Sequence, residues 1–254
     1  MIGLIRAEIV KVAGRKLWWV MTAILVVLLA GLAFVFTVLP NVSPEEFQGV
    51  AAITKPDAYL LGASQAIGQT WFPLVFAAVL LAGEASTSVW ASSLTRESRR
   101  WMHLIAKLVV TTVASAGAMA VGIAAWSAVV AVLAEGQGGP GATEWVGVAW
   151  KTLLTQATWV GLGLGLVALF RNMGLAIGAA LGFSVFDGIL SIWDPWAEVS
   201  LSIASNRLFT DLVAAGGPFA PTIGMGFGQA LVVIAGWTMA GLVLGIVGLE
   251  VRDP

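Results

Sequence analysis

Long apolar runs without charged residues alternate with shorter polar segments along this chain. Each of these runs is about as long as the roughly 20 residues that a helix needs to cross a bilayer. The runs lie at about 17–39, 63–83, 108–134, 152–170, 173–193 and 226–249. Because hydrocarbon offers the backbone no hydrogen-bond partners, a spanning segment must satisfy its own polar groups as a helix. We therefore predict an all-α polytopic membrane protein with six transmembrane helices in a single domain over residues 1–254.

The first polar segment, residues 1–16, has the pattern of an amphipathic helix. Ile5, Ile9 and Val12 share one helical face, and Glu8 is expected to lie away from it. Such a helix, with basic residues beside an apolar face, is typical of the membrane interface. The alternative is that the basic residues only set topology. The residues assigned to this interfacial helix are Ile5, Arg6, Ile9, Lys11 and Arg15.

The segment from Glu84 to Lys107, between the second and third runs, is polar and basic. A turn that only connects two helices needs a few residues, so a segment of this length favours a short helix that docks a partner. Its arginines would complement a surface that bears carboxylates. The alternative is a topology signal without a partner. The residues assigned to this coupling segment are Glu84, Trp90, Leu94, Arg96, Arg99, Arg100 and Lys107.

A half-polar segment from Asp194 to Pro221 precedes the last run. Asp194 and Pro195 have the pattern of a helix start, with Asp as the N-cap and Pro in the first turn. Ile203 and Leu208 then give the segment an apolar side. We predict an outer re-entrant segment of short helices between spans five and six. A surface loop with incidental apolar residues is the alternative.

Composition agrees with a membrane protein and excludes several chemistries. The chain is 59% hydrophobic and 11% charged, with a mean hydropathy of +0.93. Soluble domains carry about 25% charged residues, so this composition could not cover a water-facing surface. There is no cysteine, which excludes disulfides, thiolate metal sites and c-type haem attachment.

The distribution of lysine and arginine predicts the orientation. Cytoplasmic loops carry an excess of these residues. With a cytoplasmic N-terminus, ten of them face inward: Arg6, Lys11, Arg15, Lys16, Arg96, Arg99, Arg100, Lys107, Arg171 and Arg252. The three that face outward are Lys55, Lys151 and Arg207. Both termini are therefore predicted to be cytoplasmic.

A few polar side chains fall inside the predicted spans. Asp187 is an acid well inside a run, where charge is costly and hence suggests function. Gln65 and Gln69 are one turn apart on span two, and Pro73 permits a kink there. We treat Gln65, Gln69 and Asp187 as candidates for a translocation path. The alternatives are hydrogen bonds to neighbouring helices and an acid that reaches an outer vestibule.

Glycines spaced four residues apart predict close helix packing. Gly174, Gly178 and Gly182 form such a face on span five, and we treat it as a dimer or packing face. Packing within one bundle and contact between subunits are both open at this point. The same spacing recurs at Gly161 and Gly165 and at Gly241 and Gly245.

Catalytic patterns are absent from the sequence. It has no P-loop motif, its one histidine is His103, and it lacks paired intramembrane carboxylates. We therefore predict no enzyme activity, no cofactor, no metal and no nucleic-acid partner.

Taken together, the chain resembles the permease subunit of ABC-2 type transporters. The stretch IRAEIVKVAGRKLWWV is similar to that family's basic interfacial helix running into the first span. The stretch GEASTSVWASSLTRESRRWMHLIAKLV is similar to its first cytoplasmic loop, with matching positions at Glu84, Arg99 or Arg100, and Lys107. One departure is that a Gly-Thr pair and a Pro, frequent in this loop of the family, are replaced by Thr87-Ser88 and Thr95-Arg96.

The resemblance implies a function and partners. Two permease subunits, identical or homologous, would pair in the bacterial cytoplasmic (inner) membrane, each resting on a separate P-loop ATPase subunit. The interfacial helix and the coupling segment would receive the motion of the ATPase, and the outer segment would help to close an external gate. Two alternatives stay open: a non-catalytic anchoring or assembly subunit of another membrane complex, and a stand-alone channel or carrier.

Overall fold

The computed structural model describes residues 2–42, 54–85, 100–134, 136–170, 172–210 and 224–250. Every regular element in these ranges is a helix. The helices are α1 (Ile2–Gly14), α2 (Lys16–Val42), α3 (Lys55–Gly68), α4 (Trp71–Ala85), α5 (Arg100–Leu133), α6 (Ala142–Phe170), α7 (Met173–Leu190), α8 (Asp194–Ala197), α9 (Leu201–Thr210) and α10 (Phe227–Glu250).

Four of these helices are long and apolar enough to cross a membrane. They are α2, α5, α6 and α10, and the bent pair α3 and α4 makes a fifth if it is counted as one span. The described residues thus confirm an all-helical fold with four to five candidate spans, and the length and apolar character of these helices indicate a membrane-embedded protein. The remaining predicted crossing falls on α7, a shorter apolar helix, and stays a prediction.

The second span is broken rather than continuous over 63–83. Helix α3 ends at Gly68, α4 begins at Trp71, and the two are bent by 41°. Pro73 explains the position of the break, because its ring excludes a helical carbonyl four residues earlier, at Gln69. The Gln69 carbonyl instead accepts from the N–H of Phe72 at 3.0 Å.

Two helices begin eight to ten residues before the start of the span predicted for them. Helix α5 starts at Arg100 rather than at 108, and α6 starts at Ala142 rather than at 152. The charge-free runs stop at Lys107 and Lys151, yet both lysines lie inside helices and are buried. A charged residue therefore did not mark the end of a helix here.

Helix α6 is the centre of the bundle, with α4, α5, α7 and α10 packed around it. Its contact with α10 is the closest, because a Cβ added to Gly241 would lie 2.6 Å from the carbonyl carbon of Gly161. A Cβ added to Gly165 would lie 2.5 Å from the carbonyl oxygen of Gly241. These glycines therefore serve packing within the subunit, where only small residues allow two backbones to touch.

Candidate functional site: the junction of the N-terminal helix with the loop-bearing helices

Helix α1 packs one face against α5, and that face includes Ile5 and Val12 of the predicted apolar face but not Ile9. Its buried residues are Glu8 and Val12, while Ile5 is partly buried against the same core cluster. Ile9 is 52% exposed, and Arg6 is also exposed. The expectation that Glu8 lies away from the packed face is therefore wrong. An acid can lie at the centre of this face because a buried cation meets it there.

That cation is Lys107, on the first turns of α5. Its Nζ donates to Glu8 Oε2 at 2.8 Å, and Lys11 Nζ donates to Glu8 Oε1 at 2.8 Å. Glu8 is 8% exposed and Lys107 is 7% exposed. Removing one partner of an ion pair costs up to about 3–5 kcal/mol where the remaining charge stays buried, and less where it can reach water. The pair therefore ties α1 firmly to α5.

The two lysines also set the titration of the carboxylate. Burial raises the pKa of Glu8, but the charge and hydrogen bond of Lys107, with those of Lys11, outweigh it. The net result is a pKa of Glu8 below the usual value for glutamate. Glu8 is therefore ionised at neutral pH, and the ion pair persists into mildly acidic conditions.

Arg15, which follows α1, makes the second connection of this junction. Its Nη1 donates to the backbone oxygen of Leu80 at 3.2 Å, one turn before the end of α4. Leu80 lies in the second-to-last turn of α4, so the guanidinium is near the negative end of that helix, where a cation is favourable. The N-terminal segment thus contacts both α4 and α5, the two helices that flank residues 86–99.

The predicted coupling residues divide into two groups. Lys107 belongs to the junction, while Glu84 lies within the last turn of α4 and Arg100 begins α5. The others lie outside the described residues: Trp90, Leu94, Arg96 and Arg99. The short coupling helix therefore stays a prediction. Glu8 is the residue that sequence reasoning missed, although an acid one turn from Ile5 and Val12 was a signal.

The two glutamines of the predicted path lie at the break between α3 and α4. Trp71 Nε1 donates to Gln69 Oε1 at 2.8 Å, and Gln69 Nε2 donates to the Gln65 carbonyl at 3.4 Å. Gln65 is partly buried. Next to them, the hydroxyls of Thr70 and Ser184 are 2.6 Å apart, which connects the break to α7.

Asp187 is buried on α7 and accepts hydrogen bonds from the segment that follows this helix. Its carboxylate accepts from Trp196 Nε1 at 3.0 Å, Ser200 Oγ at 3.2 Å and the Ser202 N–H at 2.7 Å. Ser200 Oγ in turn accepts from the N–H of Ile203, in the first turn of α9, at 3.2 Å. Asp187 and Ser200 together cap α9, since free N–H groups at a helix start attract such acceptors.

The helix before this cap starts one residue earlier than predicted. Its N-cap is Trp193, so Asp194 is already in the first turn of α8 and makes no side-chain cap. Pro195 falls at the start of the helix, where a missing N–H costs nothing. The re-entrant course of the whole segment from Asp194 to Pro221 stays a prediction, because residues 211–223 lie outside the described ranges.

The glycine face of α7 is open within the subunit. A Cβ added to Gly178 or Gly182 would meet nothing within 4 Å, and one on Gly174 would meet the Asn172 side chain at 3.4 Å. This differs from Gly161 and Gly241, which press against backbone. The face is therefore available to lipid or to another chain.

Comparisons with known proteins add no relative. Neither the known protein families nor the curated proteins give a match to this chain.

Proposed function

We propose that this chain is the membrane-spanning permease subunit of an ATP-driven ABC-2 type exporter. The observation that carries the proposal is the junction of the N-terminal helix with α4 and α5. Its hydrogen bonds reach both helices that flank residues 86–99, the segment that resembles a coupling loop. In this proposal a separate P-loop ATPase subunit grips that segment from the cytoplasm.

The junction gives the coupling a physical route. A push on residues 86–99 displaces the end of α4 and the start of α5. Because Lys107 pairs with Glu8 and Arg15 bonds to Leu80, α1 moves with both. Nucleotide binding in the partner would supply the differential free energy that favours one state of the bundle. The permease itself contributes no catalysis.

A second permease subunit would pair along α7. The open face of Gly178 and Gly182 supports this, because small residues let another helix approach closely. Large apolar side chains are also exposed on this helix, for example Val185 at 60% and Phe186 at 64%. The translocation path would then form between the two subunits.

The outer segment fits a gate in the same proposal. Helix α9 packs against α3 and α10, and Leu201, Ala204 and Leu208 are fully buried. The hydrogen bonds from the first turn of α9 to Asp187 and Ser200 hold this helix at one position along the bundle. With the positive-inside bias, this segment lies on the outer side and both termini are cytoplasmic, in a bacterial inner membrane.

Reversing charge in the coupling segment tests the proposal. We expect the double variant Arg99→Glu and Arg100→Glu to insert normally but to lose transport. Coupling free energies of about 1–3 kcal/mol correspond to about 5- to 150-fold, so transport should fall by at least about fivefold. Transport and ATP hydrolysis are measured together in proteoliposomes that contain the ATPase.

The matched control is Lys16→Glu, an exposed basic residue outside the coupling segment. It should retain transport. Wild-type transport and hydrolysis in the Arg99 and Arg100 double variant would contradict the coupling role.

A further inference from the structure

The side chain of Gln65 on α3 has access to the surface of the bundle and is only partly buried. Its amide makes no hydrogen bond to any residue that the structure describes. Gln69, one turn further along, differs: its Oε1 accepts from Trp71 at 2.8 Å and its Nε2 donates to the Gln65 backbone carbonyl at 3.4 Å. Of the two glutamines, Gln65 is therefore the one whose amide is left to bond outside the chain.

Gln65 lies near the middle of the membrane. Helix α3 begins beside the end of α5, where Lys55 Nζ donates to the carbonyls of Ala131 and Ala134 at 3.2 and 3.0 Å. Gln65 follows Lys55 by ten residues. A helix rises about 1.5 Å per residue, which places Gln65 about 15 Å from that end of the bundle. The hydrocarbon core is about 30 Å thick, so this is about half its depth.

Lipid cannot be the partner of this amide. Acyl chains offer no hydrogen bond, and an amide transferred to hydrocarbon without one is strongly disfavoured. Polar groups at this depth instead face other protein or enclosed water. The side of α3 that bears Gln65 is therefore covered in the membrane by something that can hydrogen-bond.

The surface around Gln65 has room for another helix. Gly68, one turn away, is exposed, and a Cβ added to it would meet nothing within 4 Å. The hydroxyls of Thr70 and Ser184 are 2.6 Å apart, so this side of α3 lies beside α7. There Gly182 is open as well. Small residues on both helices let a further helix approach closely.

The chemistry of the amide fits a copy of itself. A carboxamide carries an acceptor oxygen and two N–H donors, so two of them can each donate to the other. A twofold axis brings the same residue of two identical chains together, which gives this reciprocal pair without any further residue. Hydrogen bonds of this kind join helices in membranes.

We propose that Gln65 hydrogen-bonds to the same residue of a second, identical copy of this chain at mid-membrane. The inference rests on the proposed pairing of two permease subunits. It goes beyond that pairing because it adds α3 to the interface, makes the second subunit identical and names the polar contact.

Disulfide trapping tests the contact, because the natural chain has no cysteine. The purified variant Gln65→Cys is reconstituted without an ATPase in proteoliposomes at a low protein-to-lipid ratio and is then oxidised. Two thiols on the axis can reach the Cβ separation of about 3.5–4.5 Å that a disulfide needs. We expect a covalent dimer on a non-reducing gel.

The control at the same depth is Val121→Cys. Val121 precedes Ala131 by ten residues on α5 and is 50% exposed, but it has no polar neighbour that calls for a partner chain. It should stay monomeric under the same oxidation. A disulfide that forms as fully at Val121 would show random collision and would overturn the proposal.

Amide removal measures the strength of the contact. Gln65→Leu should raise the dissociation constant of the dimer by about 3- to 30-fold, the range of hydrogen bonds between membrane helices. Fluorescence transfer between differently labelled copies gives this constant as the protein-to-lipid ratio varies. The Tm of the monomer should not fall, since the amide has no partner among the described residues. Gln69→Leu should do the reverse, lowering the Tm and leaving the constant unchanged, because its amide is bonded within the chain.

The remaining outcomes separate this contact from the pairing on which it rests. Gly182→Cys is oxidised in parallel. A disulfide there but not at Gln65 would overturn the proposal and leave pairing along α7 intact, whereas a disulfide at neither position would contradict both. Rapid reaction of Gln65→Cys with a water-soluble thiol reagent, without a disulfide, would overturn the proposal in favour of an aqueous path beside α3.

Discussion

Two buried acids, Glu8 and Asp187, satisfy their carboxylates in different ways. Glu8 is bound by two cations, Lys11 on its own helix and Lys107, which is 99 residues away in the chain. Asp187 is bound by three neutral donors that follow it within 15 residues. The first arrangement joins separate helices, and the second fixes one local segment.

Glu8 therefore connects two helices, whereas Asp187 anchors a local segment to its own helix. A long-range ion pair makes two helices move together, because neither charge can be left alone in a low dielectric. A local network instead holds α8 and α9 against α7, whatever the rest of the bundle does. The proposed coupling therefore runs through the junction and not through Asp187.

Deleting the Asp187 carboxylate should give the largest loss of stability. Asp187→Ala leaves Trp196, Ser200 and Ser202 without their acceptor. Each buried donor without a partner costs about 1–3 kcal/mol and the costs are not additive, so we expect a loss of about 3 kcal/mol. Hydrogen exchange should show that residues 194–210 lose protection first.

Asp187→Asn separates the anchor from a translocation role. The amide oxygen can still accept hydrogen bonds, so an anchoring role predicts a Tm between those of the wild type and Asp187→Ala. The pH dependence of transport should then be unchanged. A normal Tm with altered transport would instead place Asp187 in the path.

Breaking the ion pair should cost less, but should reach further through the molecule. Glu8→Leu leaves Lys107 without its carboxylate. Lys107 is near the start of α5 and its long side chain can extend toward water, so we expect a loss of about 2 kcal/mol. Thermal unfolding in nanodiscs measures it, and hydrogen exchange should rise in both α1 and the start of α5.

The double variant Glu8→Leu with Lys107→Met is the control. It removes both charges, so it should recover most of the stability that Glu8→Leu loses. Strictly additive losses would show that the two residues do not interact.

The smallest effect is the pH dependence of the junction. The folded pKa of Glu8 is lower than its unfolded pKa, so its contribution is complete above the unfolded pKa, about 4.3. It is lost only as the pH falls through the lower folded value. Protection of α1 should therefore be constant from pH 7 to pH 5 and fall below about pH 4.

Glu8→Gln is the reference, because it cannot titrate. Its α1 should lack the acid-dependent loss. If the wild type instead lost protection between pH 7 and pH 5, the carboxylate would not be held by its lysines as described.

Local pattern predicted much of the helical architecture but not the partners of its polar groups. The apolar runs predicted α2 and α10 within a few residues, because such runs need no tertiary information. The Glu8–Lys107 pair joins residues 99 positions apart, which helical periodicity cannot reveal. The anchor at Asp187 was missed for a different reason: nothing in the local pattern shows that Trp196 and Ser200 turn back toward α7.

The break in the second span shows an intermediate case. Pro73 was visible in the sequence as a kink, but its effect falls four residues earlier, at Gln69. The placement follows from the ring's clash with the carbonyl of residue i−4, which is a property of the residue itself.

Isolation of the native assembly tests the central claim most directly. The chain is purified from its own membrane in mild detergent, and every subunit is identified by mass spectrometry. We predict a P-loop ATPase bound in equal number to the permease subunits and released by charge reversal at Arg99 and Arg100. An intact assembly that transports its cargo and holds no nucleotide-hydrolysing subunit would contradict the account.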